Sequence, residues 1–261
     1  MTTAPSAQSN WFVVYRRNPA ATLRLFCFPY GGGTTATYYS WPGLLSNKIE
    51  VLCASLPGRG MRLREPPLTN LRSMLDGVLS GIAAYLDKPF VFFGHSLGAL
   101  LAFELARELQ KSGVSPRHIF FSGHPPPQLP KIQASRHILP DDQFLENLSR
   151  LNGIPKEIAT NAEALSLLLP VLRADVQAYE THAYEAGPPL ECATSIFGGL
   201  QDTEVSRAML EQWRQLTNGP FTVQMFPGDH FFINSARDLV VHQVSRKLEQ
   251  IVMTLRSPQP S

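Results

Sequence analysis

The sequence predicts an α/β fold in which helices cover both faces of a mostly parallel central sheet. Short apolar runs rich in Val, Ile, Phe and Leu alternate along the chain with longer segments of helical periodicity. This alternation is typical of a parallel sheet with right-handed crossovers. The short runs are continuously apolar, as expected of strands that are covered on both faces. At 261 residues the chain has the length of one such domain, so we expect residues 1–261 to form a single domain.

Seven apolar runs are the candidate strands. The first two are expected to pair as an antiparallel hairpin across residues 16–22, because Asn18-Pro19 supplies turn chemistry. The candidate strands are residues 11–15, 23–28, 50–54, 90–93, 119–122, 194–197 and 221–226.

Four helical segments separate most of these strands. Residues 71–86 carry an apolar stripe along one side of the helix. Residues 97–111 form a strong helical pattern that ends at Ser112-Gly113, a typical stop signal. Residues 204–216 and 235–255 also have helical periodicity.

A long segment between the fifth and sixth candidate strands interrupts the alternation. About seventy residues separate positions 122 and 194, whereas one crossover helix needs far fewer. We expect an inserted helical lid at about residues 125–190. It would lie over the carboxyl edge of the sheet, where ligands bind in such folds. The segment contains prolines at 125–127 and 130, followed by helical stretches at 141–151, 161–169 and 171–183.

Composition and charge argue against several classes of function. The formal net charge is +2 and no run of five basic residues occurs, so nucleic acid is not an expected partner. No stretch approaches the roughly 18 apolar residues of a membrane span, and residues 1–10 lack the apolar core of a signal peptide. Cys27, Cys53 and Cys192 lie in apolar runs, which favours buried thiols over a catalytic cysteine. We expect a cytoplasmic protein without a metal or cofactor.

The segment around Ser96 carries the strongest functional signal. Gly94-His95-Ser96-Leu97-Gly98 fits G-x-S-x-G, follows an apolar strand and opens a long helix. Such a turn lifts the serine oxygen above the sheet, and the helix N-terminus behind it favours developing negative charge. The alternative is an ordinary helix cap. The context predicts Ser96 as a nucleophile.

A serine nucleophile needs a base and a carboxylate that orients the base. In α/β-hydrolases these partners follow the serine in the order acid, then histidine. His230, between the last candidate strand and the last helix, is the predicted base, with a surface loop histidine as the alternative. Asp202 follows the 194–197 strand and is the predicted acid, and Glu204 is its rival. Asp229 adjoins the histidine, but neighbours on a loop usually diverge.

Two backbone N–H groups are expected to stabilise the oxyanion. Leu97, directly after the nucleophile, supplies one, and the loop after an early strand supplies the other. That loop reads Pro29-Tyr30-Gly31-Gly32-Gly33, and we predict Gly31 as the donor, with Gly32 as the alternative. The loop lacks the Lys and Ser/Thr of a P-loop and the spacing of a dinucleotide fingerprint.

With these residues in place, the sequence resembles the type II thioesterases, the stand-alone editing enzymes of polyketide and non-ribosomal peptide biosynthesis. The resemblance covers roughly residues 10–250 and rests on FCFPYGGG, SLPGRGMRLREPP, FFGHSLGALLAFELAREL, IFGGLQD and FPGDHFF. It implies an α/β-hydrolase fold with a mobile helical lid. It also implies a Ser96, Asp202 and His230 triad, with Leu97 and Gly31 in the oxyanion hole.

The resemblance further implies hydrolysis of acyl thioesters on the phosphopantetheine arms of acyl and peptidyl carrier proteins. These carriers would be transient partners of a monomeric enzyme. Tyr30, Gly32 and His124 are candidate substrate contacts, and His124 stands where the family leads us to expect an arginine or a similar polar residue. The rival functions are a general carboxylesterase acting on small free esters, a release or cyclising thioesterase, and a non-catalytic binding protein on a hydrolase scaffold.

A basic loop is the candidate docking site for the carrier. Arg59, Arg62 and Arg64 could contact the acidic surface that carrier proteins typically have around their attachment serine. A solvated charged loop is the alternative.

Overall fold

The computed structural model describes residues 10–130, 135–150, 153 and 160–256. Within these residues seven strands form one sheet in the order β1-β3-β2-β4-β5-β6-β7, and the short β1 is antiparallel to its neighbour while the other pairs are parallel. The predicted mostly parallel sheet is therefore confirmed. The strands are β1 (Phe12–Val13), β2 (Leu23–Phe28), β3 (Ile49–Ala54), β4 (Phe90–His95), β5 (His118–Ser122), β6 (Ala193–Gly199) and β7 (Phe221–Phe226).

Helices cover both faces of this sheet. None of those in the described ranges is both long enough and apolar enough to cross a membrane. The α-helices are α1 (Trp41–Leu44), α2 (Leu71–Ile82), α3 (Leu97–Lys111), α4 (Asp141–Arg150), α5 (Ala162–Thr181), α6 (Arg207–Glu211), α7 (Phe232–Ser235) and α8 (Arg237–Arg256). Short 3-10 turns span Thr35–Tyr38, Gly60–Arg62, Ala83–Tyr85, Arg136–Ile138 and Gln212–Leu216.

The sheet separates two apolar clusters. Alternate residues of a strand point to opposite faces, and β4 shows the effect. Phe92 packs with residues of α2 and α3, whereas Phe93 packs with α1 and α8, and both rings are fully buried. Burial on both faces explains why the strands are continuously apolar in sequence rather than alternating.

The predicted hairpin between the first two strands is wrong. Phe12 and Val13 pair with Ala54 and Cys53 of β3, not with β2. The reason is that β2 lies between β3 and β4 and pairs in parallel with both, so it has no free edge for β1. Turn chemistry in the connecting loop does not decide which strand is available.

The inserted segment differs from its prediction in one respect. The helical stretches expected at 161–169 and 171–183 form the single helix α5, which continues through Pro170. Proline has no N–H, so the carbonyl of Ser166 loses its helical hydrogen-bond donor at Pro170. Both residues lie on the exposed side of α5, where water can hydrate that carbonyl. Helix α4 begins at the predicted position, and Leu151, expected as its last residue, lies outside the described residues.

Three other helices have boundaries that the periodicity did not resolve. The 204–216 segment begins as a loop and forms α6 only from Arg207, because the N–H groups of Glu204 and Val205 donate to the Asp202 side chain instead. The 71–86 segment changes to a 3-10 turn after Ile82. The helix predicted at 235–255 begins at Arg237 as α8, and the short α7 before it was not predicted.

Candidate active site

Ser96 lies on a strained turn between β4 and α3. Its φ of 52° and ψ of −121° make it the one non-glycine residue with positive φ in the described ranges. Its N–H donates to the Ser122 carbonyl at 2.8 Å, which ties the turn to β5. A Cβ atom at Gly94 would overlap the Gly98 backbone, and one at Gly98 would overlap the Phe28 carbonyl. Both glycines are therefore required here, as the sequence pattern indicated.

The structure brings Ser96, His230 and Asp202 together. The Nε2 atom of His230 lies 3.0 Å from the Ser96 Oγ, and its Nδ1 atom lies 2.8 Å from the Asp202 Oδ2. The histidine follows β7 and the aspartate follows β6, so the carboxyl ends of neighbouring parallel strands present them at one edge of the sheet. This arrangement can remove a proton from the serine hydroxyl and stabilise the imidazolium that results.

The carboxylate of Asp202 is fully buried and completely hydrogen-bonded. While Oδ2 faces the histidine, Oδ1 accepts the N–H groups of Glu204 at 2.9 Å and Val205 at 3.1 Å. The rival acid, Glu204, directs its side chain to Arg136 at 3.1 Å. The neighbour Asp229 accepts a backbone N–H two residues along its own loop. Asp202 is therefore the carboxylate that contacts the histidine.

His95 is a positioning residue that the sequence analysis did not assign. Its Nε2–H donates to the His230 carbonyl at 2.9 Å, and its Nδ1 accepts from the Ser122 hydroxyl at 2.9 Å. Burial holds the pKa of His95 well below its usual value, and the nearby His230 lowers this pKa further, so the ring is neutral. His95 therefore anchors the backbone of the histidine loop. Its position directly before Ser96 in the motif was the available signal.

Gly31 and Leu97, the two predicted oxyanion donors, line the same cavity as Ser96. Leu97 begins α3, where N–H groups have no partner within the helix. The N–H of Gly31 has no acceptor among the described residues. The N–H of Gly32, the alternative donor, is already used, because it donates to the Asp175 Oδ2 at 2.7 Å. The geometry thus leaves Gly31 rather than Gly32 available to a bound oxyanion.

A cavity of about 260 Å³ extends from Ser96 between the sheet edge and the inserted helices. Of the three candidate substrate contacts, Tyr30 and His124 line it, and Gly32 does not. Burial raises the pKa of Tyr179, whose ring meets His124 edge-on at 5.5 Å, so this phenol stays protonated. The cavity is mainly apolar, and its apolar lining includes Leu97, Leu100, Leu129, Leu172, Val176 and Phe231.

The basic-loop prediction requires correction. Arg59 is buried and makes a bidentate ion pair with Asp175 of α5. Arg62 donates two hydrogen bonds to the Glu65 carboxylate, at 2.5 and 2.7 Å, and its guanidinium lies 4.2 Å from the centre of the Trp11 ring. Most of its side chain is therefore also buried. Arg64 is the exposed member of the predicted cluster. The sequence could not reveal the Arg59 partner, because that partner lies 116 residues away.

The three cysteines are free and buried, as the sequence predicts. Burial raises the pKa of Cys192 to about 12 and the pKa of Cys27 well above its usual value, so these thiols remain protonated at neutral pH. In the described part of the chain, no group of three or more His, Cys, Asp or Glu side chains is arranged to hold a metal ion.

Comparison with known proteins assigns the family. A family model described as a thioesterase domain matches residues 23–251. The gramicidin S biosynthesis protein GrsT of Aneurinibacillus migulanus is 42% identical over 248 residues, which are 95% of this chain and 97% of GrsT. The solved RedJ thioesterase from the prodiginine biosynthetic pathway in Streptomyces coelicolor is 37% identical, with a TM-score of 0.81 over 88% of each chain.

A second solved structure is the type II thioesterase BorB from the borrelidin biosynthetic cluster. It is 31% identical, with a TM-score of 0.84 over 93% of this chain and 99% of BorB. The match therefore spans sheet, serine turn and inserted helices alike. The chain belongs to the thioesterase family, has the α/β-hydrolase fold of that family, and is a thioester hydrolase.

Proposed function

We propose that this thioesterase removes acyl groups from the phosphopantetheine arms of carrier proteins, and so frees stalled polyketide or non-ribosomal peptide synthases. The observation that carries the proposal is the hydrogen-bonded series from Asp202 through His230 to Ser96 at the cavity. GrsT, RedJ and BorB each belong by name to the biosynthesis of a natural product, which supports the assignment to such a pathway.

The first half of the reaction acylates the serine. The Ser96 Oγ attacks the thioester carbonyl carbon while the His230 Nε2 takes the hydroxyl proton, and Asp202 stabilises the imidazolium through Nδ1. The N–H groups of Gly31 and Leu97 bind the oxyanion of the tetrahedral intermediate, a contribution worth about 10²–10³ in rate per donor in serine hydrolases. Collapse of the intermediate breaks the C–S bond, and the imidazolium returns its proton to the departing thiolate.

The second half releases the acid. Water takes the place of the thiol, and His230 accepts one of its protons as the oxygen attacks the acyl carbon. The oxyanion forms again between Gly31 and Leu97, the C–O bond to Ser96 breaks, and the serine oxygen recovers a proton from the imidazolium. The mainly apolar cavity would hold the acyl chain. Because a thiolate leaves readily, positioning and oxyanion stabilisation are the main tasks of the protein.

The proposal is tested by mass spectrometry of an acyl-loaded carrier protein. We expect the wild type to reduce the carrier mass to that of the holo form, with release of the free acid. Ser96→Ala should leave the carrier loaded, because the nucleophile is missing. The matched substrates are the same acyl group on N-acetylcysteamine and as a small oxygen ester. Faster hydrolysis of the oxygen ester than of the carrier thioester would favour the carboxylesterase alternative and contradict the proposal.

Arg64 provides a further arm of this experiment. We propose that its exposed guanidinium, rather than Arg59 or Arg62, meets the acidic carrier surface. Arg64→Glu should then lower kcat/KM for the carrier substrate by about tenfold, because a charge at the rim of an interface steers association. The same variant should leave kcat/KM for the N-acetylcysteamine thioester unchanged. Equal losses on both substrates would remove this role.

A further inference from the structure

Asp175 links the inserted helix α5 directly to the glycine loop. Its Oδ2 accepts the N–H of Gly32 at 2.7 Å and also a proton of the Arg59 Nη1 group, while its Oδ1 accepts from Arg59 Nη2 at 2.7 Å. One carboxylate thus joins three separate parts of the chain: the loop after β2, the loop after β3, and α5. The two bonds to the guanidinium form a bidentate pair, the geometry that best fixes the orientation of a carboxylate.

The contact is buried and closely packed. Only 5% of the Arg59 side chain and 1% of the Asp175 side chain are exposed. The Cβ atom of Asp175 lies 3.5 Å from the place where a side chain would begin at Gly31. At Gly32, whose φ is +73°, a Cβ atom would overlap the Leu172 side chain, one turn earlier in α5. The loop therefore passes directly beneath the helix, and it can do so because Gly32 has no side chain.

Global stability is a weak explanation for this pair. Two charges removed from water both lose their hydration, and their attraction often does no more than offset that loss. A pair of well-packed apolar residues would hold α5 on the loop about as firmly. What an apolar pair could not supply is an acceptor at a fixed position for the N–H of Gly32. The distinctive contribution of Asp175 is therefore the orientation of this peptide group.

We propose that Asp175 is a positioning residue for the oxyanion hole. By holding the N–H of Gly32 towards α5, it fixes the preceding loop so that the N–H of Gly31 stays directed into the cavity. Arg59 balances the charge of Asp175 and fixes the rotation of its carboxylate. The inference rests on the proposed function, in which Gly31 binds the oxyanion. It follows that α5 must be seated on the loop for the oxyanion site to be complete.

The test compares two double variants that both lack the buried ion pair. Asp175→Asn with Arg59→Met keeps an oxygen that can accept the Gly32 N–H. Asp175→Leu with Arg59→Met has a side chain of similar shape and no acceptor. Arg59 is replaced in both, so neither variant contains an unpaired buried charge. Asp175→Ala with Arg59→Met is the second acceptor-free variant, in case the bulk of leucine prevents folding.

The readouts are kcat and KM for an N-acetylcysteamine thioester, together with Ki for an alkyl boronic acid, which forms a tetrahedral adduct with a serine and mimics the oxyanion. We expect the Asn variant to keep kcat within about threefold of the wild type. An acceptor-free variant should lose about 10- to 100-fold in kcat and bind the boronic acid correspondingly less tightly, with KM within about threefold. This loss is smaller than the 10²–10³ seen when a donor is removed, because here the donor is misplaced and not absent.

Equal kcat values in the Asn variant and in a folded acceptor-free variant would overturn the inference, as would a loss confined to KM. Thermal unfolding of each variant shows which acceptor-free variant is folded. Wild type and Ser96→Ala are measured in the same series. A wild type without Ser96-dependent turnover would overturn the proposed function itself, whereas normal wild-type turnover with equal double variants would overturn only the role of Asp175.

Discussion

At the scale of single residues, His230 is held at both ring nitrogens and at its backbone carbonyl. Asp202 is a carboxylate and can only accept, so the Nδ1 atom of the neutral ring carries the proton and Nε2 presents its lone pair to Ser96. The backbone carbonyl of His230 is held by the neutral, buried His95. This combination selects the tautomer that a general base requires, and it restricts movement of the loop that carries the ring.

Asp202→Asn tests the selection of this tautomer. An asparagine can donate to Nδ1, and the ring then carries its proton on Nε2, where it cannot accept one from Ser96. We expect kcat to fall by about 10³–10⁴ with the fold intact, as observed for the equivalent change in other Ser-His-Asp enzymes. Circular dichroism and steady-state kinetics on a small thioester measure both outcomes. Glu204→Gln is the control, and a larger loss of kcat in this variant would reassign the acid.

The sequence identified candidate residues best where a role depends on local spacing. Ser96, Asp202 and His230 could be named because each lies within a few residues of the end of a recognisable strand, and parallel strands end at a common edge. The hydrogen bond from Gly32 to Asp175 could not be predicted. The two residues are 143 positions apart, and neither the glycine loop nor α5 carries a sequence signal that they meet. The role of an isolated charged side chain depends on such tertiary contacts.

At the scale of elements, the turn between β4 and α3 is the most constrained connection near the site. Gly98→Ala should be strongly destabilising, by about 2–4 kcal/mol, because the added methyl group would overlap the Phe28 carbonyl and the packed interior yields only by backbone movement. Gly43→Ala is the matched control, since a Cβ atom there would have nothing within 4 Å. Urea unfolding of the two variants measures the difference. Equal stabilities would contradict the packing described here.

Element type was more predictable than element pairing. The seven apolar runs correspond to the seven strands because burial on both faces leaves a strong local signal. The pairing of β1 with β3 depends on which sheet edge is free, and this is a property of the assembled sheet. The continuity of α5 through Pro170 likewise depends on which side of the helix faces water. Both errors arose where tertiary context overrides local chemistry.

At the scale of the whole molecule, the candidate active site is built from two parts of the chain. The sheet edge supplies Ser96, Asp202 and His230, and the inserted helices supply much of the cavity wall. A separate charged cluster joins Arg136 to both Glu180 and Glu204, and so connects the insertion to the loop that follows the Asp202 turn. Movement of the inserted helices is therefore expected to disturb both the glycine loop, through Asp175, and the loop after Asp202, through Arg136 and Glu204.

The buried histidines predict how stability depends on pH. Burial lowers the pKa of His118 to about 3, and it holds the pKa of His95 well below its usual value of 6.5. Both rings are neutral in the folded protein but take up protons when unfolded below about pH 6.5. Below that pH the unfolded chain binds protons that the folded protein does not. The free energy of unfolding is therefore highest above about pH 6.5 and falls as the pH falls, by about 1.4 kcal/mol per pH unit for each ring.

His118→Asn isolates one of these contributions. It removes the titrating ring at the amino end of β5, far along the sheet from the serine turn, where His118 contacts the Ser195 hydroxyl at 3.0 Å. Between pH 6 and pH 5, we expect the free energy of unfolding of this variant to fall less steeply than that of the wild type, by about 1 kcal/mol per pH unit. Urea unfolding at several pH values gives both slopes. Identical slopes would mean that His118 is already protonated in the folded state.

The central claim is that acyl transfer passes through Ser96, and rapid-quench peptide mass spectrometry tests it most directly. The wild type is mixed with an acyl-loaded carrier protein, stopped in acid within milliseconds, and digested. The account predicts that the peptide containing Ser96 gains the mass of the acyl group transiently, at a rate no slower than kcat, and that Ser96→Ala shows no such gain. An acyl group on another residue, or full turnover by Ser96→Ala, would contradict it.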